Sequence, residues 1–130
     1  MIYDPIEVGV KFLRSRITDV PVAASLVGHK TGRPRLVVHL TGGGRSIRDR
    51  LDLVTIDVDA YGPDKGAALA LAMRARAALL RDGPGWSDGT VVFADVTEEL
   101  FPTDLEDTVS SEQRFVFSAS IYVYLRRAFV

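Results

Sequence analysis

The chain has 130 residues, of which 47% are hydrophobic, a size and composition that predict one globular domain spanning 1–130 and exclude a disordered chain. Lys and Arg number 16 and Asp and Glu 17, so the formal net charge of -1 gives no electrostatic reason to expect nucleic acid or an anionic membrane as the main partner. Cysteine is absent from the sequence, which excludes disulfides, thiolate metal sites and a thiol nucleophile.

The first helix is predicted from a strong start signal. Asp4 caps the free backbone N–H groups, Pro5 fits the first helical position, and Glu7 follows in the first turn. Apolar residues then recur at spacings of four, three and four, at Ile6, Val10, Leu13 and Ile17. The first residues carry acids where a signal peptide would have a basic region and an apolar run, so we expect no signal peptide.

Two strands and two flexible segments are predicted next. Residues 22–26 are expected to form a short strand, 28–34 a turn, and 35–40 a β-branched strand. The glycine run that follows lacks the Lys of a phosphate-binding loop and leads into a strand instead of a helix. We therefore expect a mobile arm near 42–47.

The middle of the chain predicts a strand from about Asp49 to Tyr61 and a helix from Lys65 to about Leu80. Two apolar stripes run along this Ala-rich helix. One contains Leu69, Met73, Ala77 and Leu80, and the other contains Ala68, Leu71, Ala72, Ala75 and Leu79. The apolar run from 67 to 80 is interrupted by two Arg and is too short to span a bilayer, so no membrane partner is expected.

The end of the chain predicts a strand at 90–96, a mobile acidic arm at 98–111, and a long alternating strand from Gln113 to Arg127. At about 13–15 residues this strand exceeds the usual length of about 5–6. The element order α-β-β-α-β-β predicts an α+β fold with a mostly antiparallel sheet of four or more strands and two helices packed on it.

Candidate chemistry is sparse in the sequence. His29 and His39 have no carboxylate partner defined by their spacing, so no metal site is predicted. Asp57 and Asp59 share a strand face, where carboxylates can bind a cation or act as acid and base. A solvated face, or salt bridges to Arg126 or Arg48, is the interpretation we favour. The serines lack a nucleophile motif, and the acidic arm lacks calcium-loop spacing, so no catalytic, cofactor or metal residue is predicted.

The order of segments resembles the tail terminator (tail completion) proteins of long-tailed bacteriophages and their prophages. The likeness covers most of the chain and follows FLRSRI, GRPRLVVHLTGGG, DRLDLVTIDVDAYGPDKGAALALAMRARAAL and RFVFSASIYVYLRR. The stretch IDVDAYGPDKGAALALA carries most of it, as a strand, a glycine turn and an Ala-rich helix.

The resemblance implies a structural virion protein at the head-proximal end of the tail. Such proteins form a ring, commonly a hexamer, that caps the tail tube, stops its growth and joins the head, while DNA passes through the lumen. The implied partners are other copies, the tail tube protein and a head-completion protein. Residues expected at subunit contacts are Arg45, Arg48, Asp57, Asp59, Tyr122, Tyr124 and Arg126.

Two alternatives stay open at this point. Another head–tail connector or neck component shares the size and the α+β composition. A small-molecule binding module is also compatible with helices on an antiparallel sheet, and it would contain a defined apolar pocket.

Overall fold

The computed structural model describes residues 3–41, 44–48, 50–105 and 112–125. Over these residues the chain has the α+β fold expected from the sequence, with helices on a mostly antiparallel sheet. In chain order the elements are α1 (Pro5–Arg16), β1 (Val22–Ala23), β2 (Arg35–Leu40), β3 (Arg45–Ile47), β4 (Leu51–Tyr61), α2 (Lys65–Asp82), β5 (Val91–Asp104) and β6 (Arg114–Leu125).

The sheet has the strand order β1-β2-β4-β6-β5, and β3 pairs with the beginning of β4. The β1–β2 pair is parallel and the other pairs are antiparallel. The predicted order α-β-β-α-β-β describes the larger elements, and β1 lies within the predicted strand 22–26. The two long central strands, β4 and β6, position the residues of the candidate site.

Helix α1 begins where the sequence predicts. The Asp4 carboxylate accepts hydrogen bonds from the backbone N–H groups of Ile6 and Glu7, at 3.0 and 3.2 Å, and so satisfies two donors that a helix start leaves unpaired. The buried side of the helix is wider than the predicted stripe, since Val8 and Phe12 are buried along with Val10, Leu13 and Ile17.

Helix α2 follows β4 through a tight turn at Gly62. A Cβ at this position would lie 2.8 Å from the backbone nitrogen of Ala68, so the close approach of turn and helix requires glycine. Asp64 caps the helix by accepting a hydrogen bond of 2.8 Å from the Ala67 N–H. The stripe from Ala68 to Leu79 faces the core, and the stripe containing Leu69 lies at the edge of the buried side of the helix. The helix therefore lies flat on the sheet.

The core lies between the two helices and one face of the sheet. At its centre the Phe12 ring meets the Trp86 ring edge-on at 5.4 Å between centroids and the Phe93 ring at 5.8 Å. The alternating residues of β6 that are expected to point inward are buried, namely Phe115, Phe117, Ala119, Ile121 and Val123. Apolar burial of this kind is the main stabilising contribution to such a fold.

The arm expected near 42–47 requires a correction. Arg45–Ile47 forms β3, which pairs with Leu51–Leu53 in a short hairpin. Arg48 adopts a positive φ of 52° in its turn, a conformation that the sequence gives no reason to expect from an Arg. Residues 42–43 and Asp49, the predicted start of the next strand, lie outside the described residues, and β4 begins at Leu51.

The arm expected at 98–111 is also partly wrong, because Glu98–Asp104 continues β5. Register shifts after Phe93, Glu98 and Leu100 let this strand stay paired with β6 as far as Asp104 opposite Phe115. Such bulges interrupt the period-two alternation from which a strand is recognised. Residues 106–111 lie outside the described part of the chain.

Candidate assembly surface

Both described helices pack on one face of the sheet, and no described helix lies over the opposite face. Because side chains alternate along a strand, the strand register defines which residues point to that second side. We call it the uncovered face, and it includes Val37, His39, Thr55, Asp57, Asp59, Tyr61, Val116, Ser118, Ser120, Tyr122 and Tyr124. Several of its residues are nevertheless buried by their neighbours, namely Val37, Asp59, Tyr61, Val116, Ser118 and Ser120.

One row of the uncovered face runs from His39 through Asp57 to Ser118, which lie opposite one another on β2, β4 and β6. The Ser118 hydroxyl donates a hydrogen bond to the Asp57 carboxylate. A serine nucleophile needs a base that is itself oriented by a third group, usually a histidine between serine and carboxylate. Here the Asp57 carboxylate lies between His39 and Ser118. The hydrogen bond between Ser118 and Asp57 therefore supports the sheet and does not activate the serine.

The next row holds Asp59, which is only 4% exposed. Its carboxylate lies 3.0 Å from His39 Nε2 and 3.4 Å from Arg114 Nη1. Burial raises the pKa of Asp59 above its ordinary value, and the neighbouring His39 and Arg114 side chains oppose this shift without cancelling it. The carboxylate is therefore held by partners of its own chain.

A third set of polar groups links β4, β6 and β5. The Ser120 hydroxyl donates its single proton to the Glu99 carboxylate at 2.8 Å, so the Thr55 hydroxyl, at 3.0 Å, donates to Ser120. Hydrogen bonds of this kind have fixed directions and hold neighbouring strands in one relative position. The uncovered face thus contains directed polar contacts beside its buried apolar residues, whereas the other face is packed by apolar residues.

The end of the uncovered face is closed by a buried carboxylate, Glu112. One of its oxygens lies 2.9 Å from His29 Nε2 and accepts a hydrogen bond of 3.2 Å from the Gly32 N–H. The His29 ring also packs on Tyr61, with 5.3 Å between ring centroids. These contacts attach the connection between β1 and β2 to the beginning of β6.

Of the seven residues predicted for subunit contacts, the structure places four on the uncovered face: Asp57, Asp59, Tyr122 and Tyr124. Arg45 lies opposite Leu53, which in turn lies opposite Tyr122, so it extends the same row. Arg48 is exposed in the turn after β3. Arg126 lies outside the described residues.

Two expectations about charged partners are corrected. Asp59 pairs with His39 and Arg114 and not with Arg48. The β4–β6 register brings Arg114, the first residue of β6, beside it. Each histidine does have a carboxylate partner, Glu112 for His29 and Asp59 for His39. The first of these pairs joins residues 83 positions apart, and no local spacing in the sequence signals it.

Strand β5 borders the uncovered face, and on its outer side no described strand pairs with it. Near its end Phe101 is 53% exposed, with the Arg76 guanidinium 4.9 Å from its ring centroid. Leu100 and Leu105 are exposed beside it. An exposed strand edge with apolar side chains is a surface to which another chain can bind.

One groove on the described surface, of about 360 Å³, is lined by Arg14, Ile17, Val22 and Arg35 at the end of α1. Arg14 donates to the Val22 carbonyl and Arg35 to the Ser25 carbonyl, so both cations serve the local fold. Among the described residues, no three His, Asp or Glu side chains are placed to hold a metal ion.

Comparison with known protein families finds no family that matches the chain. A search of curated proteins finds no similar protein either. In the part of the chain that the structure describes, neither helix is long and apolar enough to cross a membrane. The functional argument therefore depends on the residues and the geometry above.

Proposed function

We propose that this chain is a tail terminator of a long-tailed bacteriophage or prophage, and that it acts as a ring subunit in the virion and not as an enzyme. The segment at 56–72, which carries most of the resemblance to that family, folds as the second half of β4, the Gly62 turn and the first half of α2. It therefore spans both the uncovered face and the helical layer. That segment includes Asp57 and Asp59, two of the residues expected at subunit contacts.

The observation that carries the proposal is the uncovered face itself. On this wide sheet face the hydroxyls and carboxylates form hydrogen bonds with one another. A partner would therefore recognise the shape of the surface, its aromatic rings and its charges. Tyr122 and Tyr124 stand on this face, and aromatic side chains are enriched where proteins meet. These features favour a protein partner over a small substrate.

The proposed mechanism is geometric. A tube grows because each ring presents the next ring with the same surface, and a terminator ends growth by matching that surface on one side only. In this proposal the ring binds the tail tube protein on one side and a head-completion protein on the other. DNA passes through the lumen, and the near-neutral chain does not hold it strongly.

Removal of the gene from the genome that encodes the chain tests this proposal. We expect electron microscopy of the lysate to show tail tubes of unregulated length, together with heads that carry no tails. Expression of the chain from a plasmid should restore tails of uniform length. Tails of normal length beside unjoined heads would instead indicate a head-completion protein, and intact particles would contradict any role in assembly.

A further inference from the structure

The connection between β1 and β2, residues 24–34, is held together by hydrogen bonds. Its backbone closes on itself through hydrogen bonds from His29 to Leu26 and from Arg33 to Lys30, at 2.9 and 3.0 Å. Arg35 donates to the carbonyls of Ser25 and Val27, at 2.8 and 3.1 Å. We call residues 24–34 the β1–β2 loop.

The β1–β2 loop is also fastened to the sheet by the buried Glu112 carboxylate, through His29 and the Gly32 N–H. Gly28 and Gly32 adopt positive φ angles of 78° and 83°, which lets the chain turn sharply on both sides of His29. A loop held in this way loses little conformational freedom when it binds, and binding through it is correspondingly favoured.

The side chains that this loop presents to solvent suit a protein contact. Val27 is 84% exposed and Leu26 is exposed beside it. Lys30 and Arg33 are exposed, and among the described residues neither has an acidic partner. An apolar tip flanked by unpaired cations fits a surface that carries carboxylates beside apolar or aromatic side chains.

The chain itself carries such a surface at the other end of the uncovered face. Asp57, Asp95 and Glu99 have no basic partner among the described residues, and Asp95 lies opposite Tyr122. The loop meets the sheet beside the Tyr61–Arg114 pair, whereas Tyr122 lies eight residues further along β6. At about 3.3 Å per residue Tyr122 and Asp95 lie roughly 26 Å along the strand from this pair, and Asp57, opposite Ser118, lies roughly 13 Å from it, so the loop does not reach the far carboxylates of its own chain.

We propose that the β1–β2 loop of one copy docks on the acidic end of the uncovered face of the next copy, formed by Asp57, Asp95 and Glu99 with Tyr122. Complementary charge is the argument for a second copy as the occupant. Because the two surfaces differ and lie apart on one chain, the contact is head-to-tail, and contacts of that kind generate a ring when the rotation closes. The inference rests on the proposed ring and identifies the two surfaces that join its subunits.

Charge reversal tests the contact in the purified full-length chain. We expect Lys30→Glu with Arg33→Glu to weaken self-association roughly tenfold or more, as measured by sedimentation velocity across concentration. Asp95→Lys with Glu99→Lys should weaken it similarly. All four substitutions in one chain should restore association, because loop and face are complementary again with the signs exchanged.

Arg50→Glu with Arg81→Glu is the matched control, since it changes the net charge equally at exposed positions outside the loop. This control should associate like the wild type, and circular dichroism should show that every variant is folded. The inference is overturned if the wild type stays monomeric, if the loop variant associates normally, or if the fourfold variant fails to recover.

The two proposals can fail separately. Unregulated tails after gene removal, together with no effect of charge reversal, would leave the terminator role standing and remove this docking mode. Charge reversal that acts as expected, together with normal tails after gene removal, would show self-association through these surfaces in a protein with another role.

Discussion

The sheet face under α1 and α2 is apolar, whereas the opposite face combines buried apolar residues such as Val37 and Val116 with hydroxyls, carboxylates and a histidine. On the covered face Phe12 and the apolar side chains around it exclude water, and these side chains need no hydrogen-bond partners. The uncovered face also contains hydrogen bonds, which have a direction because a donor must point at an acceptor. The difference suggests that the first face stabilises the fold and that the second fixes the shape of a surface.

The largest effect is expected on the covered face. Phe12→Ala should lower the free energy of unfolding by about 3–5 kcal/mol, because it leaves a cavity between two helices and the Trp86 and Phe93 rings. Urea denaturation measures this change. Val27→Ala, at an exposed position, should change stability by less than about 0.5 kcal/mol. Equal effects of the two substitutions would contradict the division between the faces.

An intermediate effect is expected at the end of the uncovered face. Glu112→Ala removes the buried acceptor of His29 and of the Gly32 N–H, and a buried donor left unpaired costs about 1–3 kcal/mol. Glu112→Gln keeps an acceptor oxygen and should lose less. Amide hydrogen exchange should also quicken between 24 and 34 in the Ala variant. Unchanged exchange would show that Glu112 does not hold the loop.

The smallest effect is expected at Asp59 and depends on pH. Burial raises the pKa of Asp59 in the native state above the unfolded value of about 3.9. At a pH between these two pKa values the native state therefore binds more protons than the unfolded state. Wild-type stability relative to Asp59→Asn should therefore be highest below pH of about 3.9 and fall as pH rises through the native pKa.

Urea denaturation of the wild type and of Asp59→Asn, measured in parallel from acid to neutral pH, checks this sign. A difference that grows with pH would mean that the attraction of His39 and Arg114 for the carboxylate outweighs its burial. The uncovered face would then be electrostatically stabilised at neutral pH, and its polar network would contribute to the fold as well as to the surface.

Local signals predicted much of the fold. The Asp4–Pro5 start, the buried stripe of α2 and the strand at β6 with its apolar core side each depend on residues close in sequence, and each is confirmed, although β6 is buried on both faces from Phe115 to Ile121. The extension of β5 could not be predicted, because its bulges and Pro102 interrupt the alternation. The hairpin at β3 is short, and its turn uses a left-handed Arg48 that no propensity favours.

Less of the candidate surface could be predicted from the sequence. Asp57, Asp59, Tyr122 and Tyr124 could be placed on strand faces from alternation alone, and they share one face. The partners of Asp59 depend on how β2, β4 and β6 are registered, which is a long-range property. The β1–β2 loop was predicted as the end of a strand at 22–26 followed by a turn at 28–34, and its attachment was missed because the residue that fastens it, Glu112, is distant in sequence.

A cryo-electron microscopy reconstruction of the tail, from the particle that encodes the chain, tests the central claim most directly. The account predicts a ring of this chain between the last tube ring and the head. In that ring the β1–β2 loop of each copy lies against the uncovered face of its neighbour, and α1 and α2 keep their own core. Absence of the chain from this position, or copies that meet through their helices with the uncovered face open to solvent, would contradict it.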